Sequence, residues 1–126
     1  MTIFRTPEYS RTVEFAGAIR EAKKGAGELV VLAFLDDAPR HGYELTQLIE
    51  ERSAGALTFN FASLYATLYK LEEHKWIKGR WVEKAGQRRR RYYTITDKGR
   101  EVLTAQRKEW RRFFDLMRDL AGVRYA

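Results

Sequence analysis

Leu64, Leu68 and Leu71 recur at i, i+4 and i+7, which puts three leucines on one stripe of an α-helix. That stripe is expected to face a core. At 100° per residue the opposite side carries Ala62, Ser63, Ala66, Tyr69 and Lys70, a small, hydroxylated and basic face with no acid before Glu72. Asn60 stands just ahead of the pattern, where its side-chain oxygen can accept from the unpaired N–H groups of a first turn, so the helix is expected to begin at Phe61. Past it the periodicity changes. Residues 76–83 (WIKGRWVE) and 89–95 (RRRYYTI) are aromatic and β-branched runs, and the polar gap between them contains Gly86. Two such runs around a glycine-bearing gap predict a β-hairpin.

Helical spacing returns after the hairpin. Thr96 is placed to cap a helix from Asp97 to about Ala121, with Asp97 at the positive end of its dipole. Along that helix Leu103, Gln106, Trp110, Phe113, Met117 and Leu120 are spaced 3, 4, 3, 4, 3, a heptad seam longer than a small domain can cover. The seam is expected to meet its own copy in a second chain. Upstream, Phe15, Ile19 and Ala22 suggest an amphipathic helix over residues 11–24, preceded by an arm over residues 1–10. Gly25 and Gly27 punctuate the chain before ELVVLAFL, residues 28–35, whose seven apolar residues fit a buried strand or a buried helix equally well. Residues 41–55 (HGYELTQLIEERSAG) read as a further helix, with Gly55 as its stop.

A helix joined by a short turn, residues 54–59, to a second helix and then to a hairpin has the outline of a winged helix-turn-helix. Three motifs in order sharpen this: HGYEL at residues 41–45, SLYATLYKLEEHKWIKG at 63–79 and GQRRRRYYTITDKGR at 86–100. On them the chain resembles the PadR family of bacterial transcriptional regulators over roughly residues 28–115. The resemblance implies that residues 28–35 are helical, ended by Asp36, Asp37 and Pro39. It also implies that residues 41–55 are the positioning helix. The fold expected is α+β, mostly α: an N-terminal arm and helix (residues 1–26), a winged helix-turn-helix DNA-binding domain (27–96) and a long C-terminal dimerisation helix (97–126). Two departures stand out. Ala66 replaces the proline that usually follows Leu-Tyr in the family, and Phe59 and Phe61 stand where small or acidic residues are common, so the operator sequence should differ.

Charge points the same way. The formal net charge is +7, which argues for a polyanionic partner, and the chain has no cysteine, which removes disulfides, thiolate catalysis and cysteine-ligated zinc. Two histidines, His41 and His74, without metal-ligand spacing give no metal site, and no cofactor is expected. No apolar run approaches a membrane span and no signal-peptide core is present, so the expected location is the cytoplasm. No nucleophile, acid/base pair or phosphate loop emerges, so the chain is not expected to be an enzyme.

The candidate DNA contacts divide into two groups. On and ahead of the recognition helix they are His41, Tyr43, Ser63, Tyr65, Thr67, Tyr69 and Lys70; Tyr65 is expected to pack its ring and offer its hydroxyl to a phosphate, as the resemblance also implies. At the wing they are Gln87, Arg88, Arg89 and Arg90, because consecutive cations at a hairpin tip repel one another unless phosphate neutralises them. Strand alternation sets Arg91 apart: it shares a face with Tyr93 and Ile95 and is expected to be structural. The dimer interface is expected along Leu103, Gln106, Trp110, Phe113, Met117 and Leu120. Trp110 and Phe114, with Arg107 and Arg111, form a candidate pocket for a planar aromatic small-molecule effector of the kind the resemblance implies. The function expected is a homodimeric repressor on a palindromic operator in double-stranded DNA. The alternative is a winged-helix module for protein contacts without sequence-specific DNA binding.

Overall fold

The computed structural model describes residues 25–124, so the arm and helix expected before residue 25 lie outside the described residues. The first described element, α1, is helical over residues 25–37, which settles the ambiguous apolar run as a helix. Gly25 and Gly27 lie inside it rather than before it. At Gly27 a Cβ would come within 3.1 Å of the Phe59 ring, so this glycine permits close approach instead of breaking the helix. The chain continues through β1 (Arg40–His41), α2 (Gly42–Arg52), α3 (Phe61–Glu73), β2 (Ile77–Val82), β3 (Arg90–Ile95) and α4 (Asp97–Ala121).

Local chemistry sets most of these boundaries. Ser63 N–H donates to Asn60 Oδ1 at 2.7 Å, so α3 starts where the cap expected it. Gly99 N–H likewise donates to Thr96 Oγ1 at 3.0 Å, and α4 ends at Gly122 in the left-handed conformation, φ 72°. Helix α2 stops at Arg52, where Ala54 and Gly55 both take positive φ and turn the chain toward α3. The hairpin carries a third strand that the sequence pattern did not reveal: the sheet order is β1-β3-β2, all antiparallel. In it Arg40 faces Tyr93 and His41 faces Tyr92 across β1 and β3, while Ile77 pairs with Ile95 and Val82 with Arg90. His41 is therefore a strand residue and the N-cap of α2, not its first helical residue.

The leucine stripe of α3 is the centre of the core. Leu64, Leu68 and Leu71 are fully buried against Val31, Leu32 and Leu35 of α1, Leu45 and Ile49 of α2, and Ile77, Tyr93 and Ile95 of the sheet. Arg40 is the buried charge of the described core. Its guanidinium donates to the Phe34 carbonyl at 3.0 Å and to Asp37 at 2.6 Å, and it meets Glu44 at 3.4 Å, so it ties the end of α1 to the start of α2. Helix α4 buries only Gly99 and Leu103. At about 1.5 Å per residue the rest of it reaches well past the winged-helix core.

Candidate nucleic-acid interface

The face of α3 opposite the leucines is exposed at Ala62, Ser63, Ala66, Tyr69 and Lys70, as the 3.6-residue period requires. Beside it an open groove of about 740 Å³ runs between the starts of α2 and α3 and the hairpin. Aromatic side chains line it, Tyr43, Phe61, Tyr65, Trp81 and Tyr93, together with His41. Residues 88–91, all arginine, form its rim. The guanidinium of Arg89 lies 4.8 Å from the Trp81 ring centre and that of Arg90 lies 6.0 Å from Tyr43. Stacking uses the flat face of a guanidinium and leaves its in-plane N–H donors for an anion.

The wing resolves the four arginines into different roles. Arg88 and Arg89 precede the strand in the loop between β2 and β3, so strand alternation sets the direction of Arg90 and Arg91 but not of Arg88 and Arg89. That loop turns at Gly86, φ 73°, with Gln87 N–H donating to the Lys84 carbonyl, and it leaves Gln87, Arg88 and Arg89 exposed. Arg91 is different. Its Nη2 donates to Glu72 of α3, and a Cβ on Gly79 would run into its guanidinium, so it crosses the neighbouring strand to brace the wing on α3. The structural role expected from alternation is the one observed.

On the helices, Ser63 is exposed, and Thr67 gives its hydroxyl proton to the Ser63 carbonyl at 3.1 Å, which leaves its oxygen as an acceptor. Lys70 is ion-paired with Glu28 of α1 at 2.8 Å, so it points to the α1 side of the face and would have to leave that partner to meet a base. The Tyr65 ring is about half exposed, and its hydroxyl lies against Gly42, where any Cβ would collide with it. Tyr69 is more exposed than either. Phe61 and Trp81 belong to the groove although sequence reasoning did not name them as site residues. Local pattern hides them: Phe61 lies one turn before Leu64 on the leucine side of α3 and Trp81 falls on the same alternating face as the buried Ile77 in β2, so both read as core positions, yet both are about half exposed.

Farther off, Leu103 proves to be fully buried in its own chain's core, so the seam can offer a partner only its positions from Gln106 onward. Gln106, Trp110, Phe113 and Met117 are half-buried and Leu120 is exposed. Trp110 meets Phe113 edge-on at 5.9 Å and Phe114 at 5.7 Å, while Arg107 and Arg111 are exposed. Among the described residues no helix is long and apolar enough to cross a membrane, and no cluster of metal-ligating side chains occurs.

Of the perturbed groups on this surface, His41, Arg91 and Tyr93, only His41 has an ordinary pKa near neutral pH. Its Nδ1 accepts from Glu44 N–H at 3.2 Å and its ring meets Tyr92 edge-on at 5.2 Å. Burial, then the charge of Arg90, lowers its pKa below the usual 6.5; Glu44 opposes this and Lys84 adds to it. Protonated Nδ1 cannot cap α2. Because the folded-state pKa lies below the unfolded value, stability is complete above pH 6.5 and is lost as the pH falls from there toward the lowered pKa. Melting temperature is therefore expected to drop between about pH 7.5 and 5.5, and to drop less in His41→Asn, whose amide caps without titrating. Equal slopes in the two proteins would remove His41 from the pH response.

Comparison with known proteins places this architecture. Residues 31–105 match the transcriptional regulator PadR-like family. An uncharacterised protein from Lysinibacillus sphaericus is 30% identical over 87 residues, 69% of this chain and 80% of that one. The fold is similar to that of a transcriptional regulator from Clostridium thermocellum, with a TM-score of 0.73 at 23% identity over 79% of this chain and 94% of that one. It is also similar to Bacillus subtilis PadR crystallised with operator DNA, with a TM-score of 0.57 at 23% identity over 62% of this chain and 44% of that one.

Proposed function

This chain belongs to the transcriptional regulator PadR-like family, a family of regulators and not of enzymes, and from that premise we propose that it is a homodimeric repressor that binds a palindromic operator in the cytoplasm. The groove between α3 and the wing carries this reading. Its arginine rim offers in-plane donors to phosphate while the exposed start of α3 can enter the major groove, and Bacillus subtilis PadR, of similar fold, binds operator DNA.

The same premise accounts for α4. Beyond Leu103 it presents Trp110, Phe113, Met117 and Leu120 along one stripe, and Gln106 Oε1 is buried with no hydrogen-bond partner among the described residues. A second copy related by a two-fold axis would cover the stripe and supply a donor, and would set two recognition helices on one side of the assembly. The Trp110–Phe114 ring pair, flanked by Arg107 and Arg111, offers flat surface and cations for a planar aromatic effector with a carboxylate.

Replacing Arg88 and Arg90 together by Ala tests the DNA reading. Each phosphate contact contributes a salt slope of about 0.9, so the pair is expected to lower the slope by about 1.8 and to weaken binding about 60-fold at 0.1 M salt, on operator and random duplex alike. Titrations at several salt concentrations measure it. An unchanged slope would mean that the wing tip does not touch the backbone, and no binding to any duplex at low salt would favour the protein-contact alternative.

A further inference from the structure

The arginines and hydroxyls of the interface account for phosphate contact, but they leave one side chain on it without an explanation. Phe61, the first residue of α3, is 52% exposed and has no polar atom to offer. It is also held in place. Tyr43 stacks with it at 6.2 Å with planes 19° apart, and Tyr65 at 6.5 Å and 29°. Tyr65 is wedged in turn against Gly42, so the Phe61 ring is braced before any ligand arrives. An apolar group held rigidly in a basic groove gains only when another apolar group covers it.

Duplex DNA displays one such group in its major groove, the 5-methyl of thymine. In a helix-turn-helix the N-terminal residues of the recognition helix are the ones that reach base edges, and Phe61 is the first of them. We infer, on the reading that this face binds duplex DNA, that Phe61 is a specificity-determining residue that packs against a thymine methyl in each half-site. Cytosine at that position would set an N4 amino group against the ring with no acceptor, and the lost hydrogen bond to water would count against it. The arginine rim nearby suits the flanking phosphates, so charge and apolar contact point to the same ligand.

The test begins with duplexes recovered by selection from a random-sequence pool on the full chain. Each thymine in the recovered sequence is replaced in turn by deoxyuridine, which removes the methyl and keeps the pairing. At one thymine per half-site the wild type is expected to lose about four-fold in affinity, the equivalent of about 0.8 kcal/mol for one buried methyl-sized group. Phe61→Ala is expected to bind both duplexes equally, and Phe61→Leu to keep part of the difference. A variant that merely folds poorly would weaken both duplexes together and leave the ratio intact, so an unchanged ratio in Phe61→Ala at every thymine overturns the assignment. Binding of single strands as tightly as duplex would overturn it too, in favour of ring–base stacking. Recovery of no duplex at all would instead sink the DNA-binding reading on which the inference rests.

Discussion

Gly99→Ala is expected to cost at least about 3 kcal/mol of folding free energy, a large share of the 5–15 kcal/mol typical of a whole domain. Gly99 is buried in the first turn of α4, and that turn lies directly on the α3–β2 connection. Thr96 N–H donates to the Trp76 carbonyl at 2.9 Å, and the Thr96 hydroxyl lies 2.7 Å from the Lys75 carbonyl and 3.0 Å from that of Trp76. A Cβ on Gly99 would overlap the Trp76 carbonyl oxygen and press on Ile95. Both obstacles resist. The carbonyl is backbone, and Ile95 is a core residue paired with Ile77, so neither can swing aside as a surface side chain would. Denaturant unfolding measures the loss. At Gly42 the obstacle is the hydroxyl end of the half-exposed Tyr65 side chain and not backbone, so Gly42→Ala serves as the milder comparison; equal small losses below about 1 kcal/mol would show that α4 is not seated as described.

Trp110→Ala is expected to dissociate the proposed dimer. Its ring sits midway along the seam, edge-on to Phe113, and is half-buried within one chain, so a partner would complete its burial. Truncating a tryptophan buried in this way costs roughly 3–5 kcal/mol, and by symmetry the loss occurs twice. A dimer of micromolar affinity, about 8 kcal/mol, would become a monomer at any practical concentration. Sedimentation equilibrium reads this directly. If the variant stays dimeric while a planar aromatic ligand no longer quenches tryptophan fluorescence, Trp110 lines an effector gap instead. A wild type that is monomeric at all concentrations would remove the two-fold symmetry on which the palindromic operator depends.

Both variants act on α4, yet they act on features that came to light in different ways. The heptad spacing around Trp110 is written in the sequence, as are the leucine stripe of α3, the caps Asn60 and Thr96 and the runs that became β2 and β3. Each of these is set by residues a few positions apart, through a backbone period or a hydrogen bond to the next turn, so local pattern suffices. Alternation within one strand likewise set Arg91 apart from its neighbours, and Glu72 turned out to be its partner. The family resemblance removed the remaining ambiguity, over residues 28–35.

Contacts between distant parts of the chain left no such trace. The two-residue strand β1 exists because Arg40 and His41 fall beside Tyr93 and Tyr92, and a segment that short carries no period of its own. Lys70 looked like a base contact on its helix, but folding brings Glu28 within 2.8 Å and its charge is engaged there. Leu103 opened the heptad seam in sequence, while the packed core claims it for its own chain. Gly99 and Phe61 make the same point from opposite directions: one must lack a side chain because a distant carbonyl occupies the space, and the other holds its ring in the groove because Tyr43, from another helix, stacks against it. Propensity and periodicity report what neighbours along the chain favour, whereas these positions are set by excluded volume and charge between segments that meet only after the chain has folded.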